Sequence, residues 1–296
     1  MGYELCLGDR AYSSWSLRGW LLFEKFGIEA KLHYARMYED TFLETLADFR
    51  PDGYVAPLKT VPAWKIDNKI MLTDSIAITE ELHTRHPDAG LLPTDPQMRA
   101  IARNLIAEMH SGFVALRAHC PMNLRLSYSD CAASEAVLSD LNRLEILWAE
   151  ARKLSGSQTP WLLGDYCAAD AFFAPVAARV AGYGLPLNEN AMTYVTAHLS
   201  DPSFRRYRAM GCVDGPDQPF YDREYPRRDW PLAPEWDAEI SNGEASENAL
   251  CPYSQKPVTD FLRLKGREFG FCNPFCRDKT MMDPTAWPAF MDLYHS

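Results

Sequence analysis

The sequence has no excess of positive charge, since its 40 Asp and Glu residues outnumber its 30 Lys and Arg residues and give a formal net charge of −10. Proteins that bind nucleic acids usually concentrate Lys and Arg on one face. The charge balance therefore argues against DNA or RNA as a partner.

Long hydrophobic runs are also absent. No stretch approaches the roughly 18 consecutive apolar residues that indicate a membrane-spanning helix, and residues 1–6 lack the basic and apolar segments that begin a secretory signal. We therefore expect no membrane partner and a cytoplasmic location.

Cysteine is present but not regularly spaced. The eight cysteines are scattered at positions 6, 120, 131, 167 and 212 and clustered at 251, 272 and 276, unlike the dense spacing of small secreted disulfide scaffolds. The first five are expected to be free thiols. Hydrophobic residues make up 47% of the 296 positions, enough for two packed domains and an appendage.

The hydrophobic periodicity changes along the chain. Residues 1–85 alternate strand and helix patterns in the order β-α-β, then β-β-α, and the spacing of Leu17, Trp20 and Leu21 predicts the first helix. Residues 97–210 show long amphipathic stretches typical of a helical bundle. The sequence therefore predicts an α/β domain followed by an all-α domain.

The last third of the chain has a different composition. Residues 214–247 contain five prolines and ten acidic residues against three arginines, which is typical of a linker, although Trp230 and Trp236 favour partial packing on the body. Residues 251–296 regain aromatic and apolar residues. We expect an acidic, Pro-rich linker followed by a small cysteine-containing module.

Four short motifs occur in a definite order along the first two domains. They are Ser13-Ser14-Trp15-Ser16-Leu17-Arg18, Val61-Pro62, Asp74-Ser75, and Gly164-Asp165 followed by Asp170. Together they resemble the motifs of cytosolic glutathione transferases of the serine type, bacterial-like, over roughly residues 1–210. The resemblance implies a thioredoxin-like N-terminal domain, a helical-bundle C-terminal domain, glutathione as co-substrate and a homodimer.

The serines of the first motif bear on thiolate chemistry. A free thiol has a pKa of about 8.5, so an enzyme that uses a thiolate at neutral pH must stabilise the anion. A hydroxyl at a helix N-terminus can do this. By resemblance, the catalytic residue is Ser14, from its spacing to Arg18, with Ser13 second. Helix capping is the alternative role for these serines.

The next two motifs concern glutathione binding. The resemblance implies a cis Val61-Pro62 bond that lets the Val61 backbone pair with the tripeptide, whereas a trans proline would mark only a strand edge. It assigns Asp74 to the γ-glutamyl ammonium and Ser75 to the γ-glutamyl carboxylate, at the start of a predicted helix. A simple N-cap is the alternative for this pair.

The helical half supplies a structural cap and candidates for a second-substrate pocket. Asp170 is expected to cap a buried helix, although Cys167 stands where the family has Ser or Thr. An interior histidine and an internal salt bridge are alternative roles for His110 and Arg117. The candidates to bind a small-molecule electrophile are Tyr12, Trp15, His110, Phe113, Arg117 and Asn123.

The C-terminal cysteines resemble those of the small metal-binding modules called YHS or TRASH domains. Cys251, Cys272 and Cys276 match that pattern, but Ser254 stands in place of a fourth cysteine, so a four-thiolate zinc site is incomplete. Three interpretations stay open: a remnant fold packed by phenylalanines, a site for zinc or another soft metal, and a redox pair.

These motifs lead to three hypotheses about function. The first is conjugation of the glutathione thiolate to a small electrophile. The second is glutathione-dependent isomerisation of an unsaturated dicarboxylate, as in zeta-like relatives, in which Arg117 would matter strongly. The third is a non-enzymatic binding or metal-sensing protein on a transferase fold, with its function in residues 251–296.

Overall fold

The computed structural model describes residues 2–233, 236, 238–243 and 245–296. The N-terminal elements are β1 (Tyr3–Leu7), α1 (Ser14–Glu24), β2 (Lys31–Tyr34), α2 (Phe42–Phe49), β3 (Ala63–Ile66), β4 (Ile70–Leu72) and α3 (Ser75–Arg85). The strands lie in the order β2-β1-β3-β4, with β2 parallel and β3 antiparallel to β1. This is the thioredoxin-like arrangement implied by the motifs, with one helix, α2, that the sequence analysis does not predict.

The helical region follows this sheet. It comprises α4 (Pro96–Ser111), α5 (Val114–His119), α6 (Glu135–Ser155), α7 (Ala168–Tyr183), α8 (Glu189–Ser200) and α9 (Pro202–Val213). Helix α7 is buried along its whole length and packs against α1, α4 and α8. Across the described ranges, each helix is too short or too polar to cross a lipid bilayer.

The N-terminus of α7 is held by a buried carboxylate. Asp170 accepts hydrogen bonds from the backbone N–H of Cys167 at 2.9 Å and from the hydroxyl of Tyr194 at 2.8 Å. Burial raises the pKa of Asp170. The capping role expected for Asp170 is therefore present, and Tyr194 adds a donor that the sequence analysis does not identify.

The segment predicted as a linker is partly structured and packs on the body. Strand β6 (Arg227–Arg228) pairs with the two-residue strand β5 (Ser127–Tyr128), which lies inside the region predicted to be all helical. Asp214 forms ion pairs with Arg10 and Arg36. Residues 234, 235, 237 and 244 of this segment lie outside the described residues.

The C-terminal module is a three-stranded antiparallel sheet with two helices. Its elements are β7 (Ala238–Ser241), β8 (Asp260–Leu264), β9 (Arg267–Phe271), α10 (Pro274–Met282) and α11 (Pro288–His295). Strand β7 lies within the predicted linker, so this sheet begins before residue 251. Its strand pattern is weak because only one residue of β7, Ser241, is buried.

Helix α9 joins the module to the body. Ala209 on α9 is buried in the hydrophobic cluster of the module, together with Phe269 and Phe271. Arg205 on the same helix donates two hydrogen bonds to the buried carboxylate of Asp283, at 2.8 and 2.6 Å. The module therefore packs on the helical region through both apolar and charged contacts.

Candidate functional site

The connection between β1 and α1 brings a series of hydroxyl groups to a helix N-terminus. Ser13 is the N-cap of α1: its Oγ accepts a hydrogen bond from the backbone N–H of Ser16 at 3.2 Å and donates one to Ser16 Oγ at 2.8 Å. Ser16 Oγ in turn accepts from the backbone N–H of Gly8 at 2.8 Å. Among the described residues, none accepts a hydrogen bond from Ser14 Oγ.

The peptide bond between Val61 and Pro62 is cis, as the resemblance implies. It lies directly before β3, opposite α1. Gly19 makes this approach possible, because a Cβ atom there would lie only 2.7 Å from Pro62 Cβ. The sequence of α1 is thus adapted to the position of this proline.

Asp74 and Ser75 begin α3, as predicted. Asp74 Oδ1 accepts hydrogen bonds from the backbone N–H groups of Ile76 and Ala77 at 2.8 and 3.2 Å. His110 reaches this turn from α4: its Nε2 lies 3.3 Å from Asp74 Oδ2 and its Nδ1 3.5 Å from Ser75 Oγ. The histidine links the start of α3 to the helical region.

These features surround a cavity of about 490 Å³, the first cavity. Ser13, Trp15, Val61, Pro62, Asp74, Ser75 and His110 line it, with Met37, Tyr38, Phe42, Lys59, Thr60 and Thr73 completing the wall. The structure therefore brings together the four residues predicted to bind glutathione, Ser13, and two predicted second-substrate residues, Trp15 and His110.

A second cavity of about 480 Å³ adjoins the first and shares Ser13, Trp15, Met37 and Tyr38 with it. Its other lining residues are Tyr12, Ser14, Val114, Arg117, Ala118, Pro121, Met122, Arg179 and Tyr221. The two candidate catalytic serines lie differently, because Ser13 borders both cavities and Ser14 borders only the second.

Two arginines line the second cavity, and a third is buried against Trp15, one of its lining residues. Arg117 and Arg179 line it, and the guanidinium of Arg18 lies 4.7 Å from the ring of Trp15. Burial, with repulsion from Arg179 and Arg117, lowers the pKa of Arg18, and burial with repulsion from Arg117 lowers that of Arg179 to about 10. In the described part of the chain, these three form no ion pair with a carboxylate, and Nε and Nη1 of Arg18 have no hydrogen-bond partner.

Two predicted second-substrate residues line neither cavity. Phe113 is buried in the main hydrophobic core, where it precedes α5 with a positive φ of 56°. Asn123 is also buried: its amide donates to Asp222 Oδ1 at 3.3 Å and accepts from the backbone N–H of Arg125 at 2.9 Å. Their side chains are engaged in core packing and in a loop contact, respectively.

Arg179 is the main lining residue that the sequence analysis missed. Its helix, α7, is otherwise composed almost entirely of apolar residues, and a lone arginine in such a helix is a detectable signal. Its Nε donates to the backbone carbonyl of Cys120 at 2.9 Å and its Nη1 to that of Pro175 at 3.0 Å. These bonds hold the guanidinium at the cavity wall.

The C-terminal thiols form a separate cluster, the module cluster. The Sγ atoms of Cys251, Cys272 and Cys276 all lie within 4.8 Å of one another. Burial opposes ionisation of Cys251, but hydrogen bonds from the backbone N–H groups around it lower its pKa to about 7. Ser254 Oγ donates to Cys272 Sγ at 3.1 Å, so the serine contacts the cluster at the place of the missing cysteine.

The N-terminal part of the chain matches a known protein family. Residues 12–85 match the family described as "Glutathione S-transferase, N-terminal domain". The chain is 34% identical to the maleylacetoacetate isomerase of Mus musculus over 108 residues, which cover 36% of this chain and 47% of that protein. It is 30% identical to the maleylacetoacetate isomerase of Rattus norvegicus over 181 residues, which cover 60% and 78%.

The matches cover different shares of these relatives. This chain spans about half the length of the mouse protein and of a probable maleylacetoacetate isomerase of Caenorhabditis elegans. Among solved structures, a glutathione transferase homolog from Burkholderia with bound glutathione has a TM-score of 0.51 at 22% identity, covering 71% of this chain and 98% of its own. Glutathione transferase Omega 3C from Trametes versicolor has a TM-score of 0.50 at 20% identity, covering 70% and 88%. These structures share the fold with this chain.

Proposed function

Because the chain belongs to the glutathione S-transferase family, we propose that it is a glutathione-dependent enzyme that binds the tripeptide in the first cavity. The backbone of Val61 would pair with the peptide, Ser75 would bind the γ-glutamyl carboxylate, and Asp74 would face the ammonium. The N-terminus of α3 supports this arrangement, since the positive end of a helix favours a carboxylate.

The observation that carries the proposal is the position of the α1 N-terminus at the junction of the two cavities. A thiol bound there would meet the positive end of α1 and the hydroxyls of Ser13 and Ser14. Ser13 Oγ already donates to Ser16, whereas the proton of Ser14 is not engaged by any residue that the structure describes. Ser14 is therefore the better donor to a thiolate, and Ser13 is the helix cap.

The second cavity would then hold the electrophile. In a conjugation reaction, the thiolate attacks the electrophilic carbon, and one glutathione is consumed for each product formed. Holding both reactants in adjoining cavities supplies much of the acceleration, because a bimolecular step becomes effectively unimolecular.

Isomerisation of an unsaturated dicarboxylate is a second candidate function. It is favoured by the three arginines, which have no carboxylate partner among the described residues, and by the relatives, which are maleylacetoacetate isomerases. The thiolate would add to the conjugated double bond, the resulting single bond would rotate, and elimination would restore the double bond and free glutathione. Arg117 and Arg179 would bind the substrate carboxylates, since hydrogen bonds between ions are stronger than neutral ones.

The thiolate step can be tested by titrating the ultraviolet absorbance of bound glutathione thiolate. We expect the wild-type protein to lower the thiol pKa, and Ser14→Ala to raise it by about 1 to 2 units, since a hydrogen bond to a charged group contributes about 1.5 to 3 kcal/mol. Ser134→Ala is the matched control, because Ser134 caps α6 and lines neither cavity.

The possible results of this titration are distinct. A shift lost in Ser13→Ala but kept in Ser14→Ala would transfer the catalytic role to Ser13. A protein that binds no glutathione would contradict the proposed function as a whole.

The two reactions are distinguished by following glutathione during turnover. With a maleyl acid, isomerisation leaves the glutathione concentration unchanged, whereas an arylating substrate consumes it. Arg117→Gln should raise the KM for a dicarboxylate roughly 10- to 100-fold and leave the KM for a neutral aryl substrate unchanged. Arg143→Gln is the control, because Arg143 pairs with Glu108 on the exposed surface.

We further propose that the module cluster binds a soft metal such as zinc. Three sulfur atoms within 4.8 Å of one another support this, as thiolates are preferred ligands of zinc and monovalent copper. Zinc content of the full chain should fall in Cys272→Ser but not in Cys6→Ser, since Cys6 lies on β1 and its thiol is buried in a hydrophobic cluster. Metal uptake by a protein that shows no thiolate activation would instead support the non-enzymatic hypothesis.

We also propose that the chain forms a homodimer.

A further inference from the structure

A second group of soft donor atoms lies in the helical region, apart from the module cluster. A ring nitrogen of His119 and the Sγ atoms of Cys120 and Cys131 all lie within 4.8 Å of one another. Cys120 is completely buried, and the other two residues are half-buried. These three residues do not form a short sequence motif, because Cys131 lies eleven residues after Cys120.

The surrounding structure fixes all three residues. His119 is the last residue of α5. The backbone carbonyl of Cys120 accepts a hydrogen bond from Arg179 at 2.9 Å. Cys131 follows β5, which is held by its pairing with β6. The hydroxyl of Tyr225 lies 3.4 Å from His119 Nε2, so a fourth polar group reaches the cluster from the segment before β6.

We propose that His119, Cys120 and Cys131 bind a zinc ion, whose fourth position faces the hydroxyl of Tyr225. One histidine and two cysteines match the ligand types of known three-residue zinc sites. In a tetrahedral site with Zn–S of about 2.3 Å and Zn–N of about 2.0 Å, ligand atoms lie roughly 3.5 to 3.8 Å apart. The donor atoms therefore need to move by only about 1 Å to coordinate the ion.

The charge of a bound zinc ion is compatible with the two arginines beside the site. Arg179 Nε donates to the backbone carbonyl of Cys120 at 2.9 Å, and Arg223 Nε donates to that of His119 at 3.3 Å. Zinc displaces the thiol protons when it binds, and two thiolates neutralise its charge, so the neighbouring arginines are not repelled.

The ion would connect three segments beside the second cavity: the end of α5, the loop after β5 and the segment before β6. Pro121 and Met122, which follow Cys120 directly, line that cavity. The site would therefore hold one wall of the cavity in place without contacting its contents.

The test is zinc binding to the reduced full-length chain after removal of metals with a chelator. Equilibrium dialysis followed by elemental analysis gives the number of zinc ions per chain for the wild type, His119→Gln, Cys131→Ser and Cys212→Ser. Both His119→Gln and Cys131→Ser should bind one zinc fewer than the wild type. Cys212→Ser is the matched control, since Cys212 is also half-buried but lies outside both clusters.

The module cluster is separated from this site by repeating the measurement in Cys272→Ser. If the proposal is correct, this variant retains a zinc that Cys131→Ser in the same background loses. Cobalt substitution in the Cys272→Ser background gives a second readout, because removal of Cys131 should weaken the cobalt–thiolate charge-transfer band.

Two results would overturn the proposal. One is equal zinc binding by the wild type, His119→Gln and Cys131→Ser. The other is a Cys120–Cys131 disulfide in protein purified without reductant, detected by mass spectrometry of the peptides. Neither result bears on thiolate activation at α1, so failure of this site and failure of the proposed enzymatic function can be told apart.

Discussion

The N-termini of α1 and α10 have the same local construction but different chemistry. Ser13 caps α1 by accepting from the backbone N–H of Ser16, and Asn273 caps α10 by accepting from that of Cys276 at 2.9 Å. The third residue of the helix is thus a serine in one region and a cysteine in the other. Both helices follow a strand of an adjoining sheet.

This difference indicates what each region can bind. None of the described residues that line the first cavity is a cysteine, so the positive end of α1 is available to a thiolate brought by a ligand. At α10, Cys272 and Cys276 already provide the sulfur atoms, and under the zinc proposal a cation would be the complementary ligand. If both proposals hold, helix capping supports sulfur chemistry in both regions, with the sulfur supplied from outside in one and by the chain in the other.

The largest expected effect on stability tests whether the body, which contains α1, and the C-terminal module, which contains α10, unfold as one cooperative unit. Arg205→Ala should lower the free energy of unfolding by about 3 to 5 kcal/mol, because it leaves the buried carboxylate of Asp283 without its partner. Arg263→Ala, which breaks exposed pairs with Glu239 and Glu268, should cost at most about 1 kcal/mol.

Chemical denaturation, followed by circular dichroism and by hydrogen exchange in α1 and α10, provides the measurement. Loss of protection in α10 alone would show that the module unfolds separately. An equal effect of Arg205→Ala and Arg263→Ala would contradict the importance given to the buried pair.

Glycines at close contacts give the next largest effect. Gly19→Ala would place a Cβ atom 2.7 Å from Pro62 Cβ, and overpacking of this kind costs about 1 to 3 kcal/mol. In the module, Gly270→Ala would meet Val258 Cβ, also at 2.7 Å, and should cost a similar amount. Gly182→Ala in α7 is the control: its nearest neighbour would be 3.6 Å away, and the substitution should be neutral or slightly stabilising.

The two glycine variants also separate the regions by function. Gly19→Ala should weaken glutathione binding by displacing Pro62, while Gly270→Ala should leave it unchanged. Isothermal titration with glutathione would decide this. Equal glutathione affinity in the wild type and Gly19→Ala would show that the cavity tolerates movement of Pro62.

Acid should destabilise the helical region through His198. Burial lowers the pKa of His198 from 6.5 to about 3, so between these values the unfolded chain binds a proton that the folded chain does not. The free energy of unfolding therefore decreases as the pH falls below 6.5, by about 2 kcal/mol at pH 5 for this one group. His198→Phe should remove this part of the pH dependence.

Denaturation of both proteins at pH 7 and pH 5 checks this prediction. His295→Phe is the control, since His295 is exposed on α11 and its replacement should leave the pH dependence intact. A wild-type protein equally stable at both pH values would show that His198 becomes accessible to solvent without unfolding.

The sequence predicts the α/β order of the N-terminal domain because its periodicities are strong and local. Helix α2 was missed because it has only eight residues and its N-cap, Thr41, forms no side-chain capping bond. Strand β7 was missed because it lies in an acidic segment and has little alternation of buried and exposed residues. Both elements depend on tertiary contacts more than on local pattern.

The candidate sites divide in the same way. Ser13, Pro62 and Ser75 could be identified from short motifs, and the structure gathers them at one cavity. Arg179 and Cys131 belong to no such motif, because Arg179 reaches Cys120 from a distant helix and Cys131 reaches it from the loop after β5. Cys131 follows β5, which pairs with the distant strand β6.

The smallest expected effect concerns the two caps themselves. Ser13→Ala and Asn273→Ala should each lower the free energy of unfolding by about 1 kcal/mol, the usual cost of losing an N-cap. Asn273 Nδ2 also donates to Cys272 Sγ at 3.2 Å, so Asn273→Ala should weaken zinc binding by the module cluster. Asn273→Ser would restore the cap without this contact, and it should recover stability but not zinc affinity. If Asn273→Ser recovers both stability and zinc affinity, the cap alone is sufficient to support the thiols. The N-terminus of α10 would then resemble that of α1 more closely than the contact between Asn273 and Cys272 indicates.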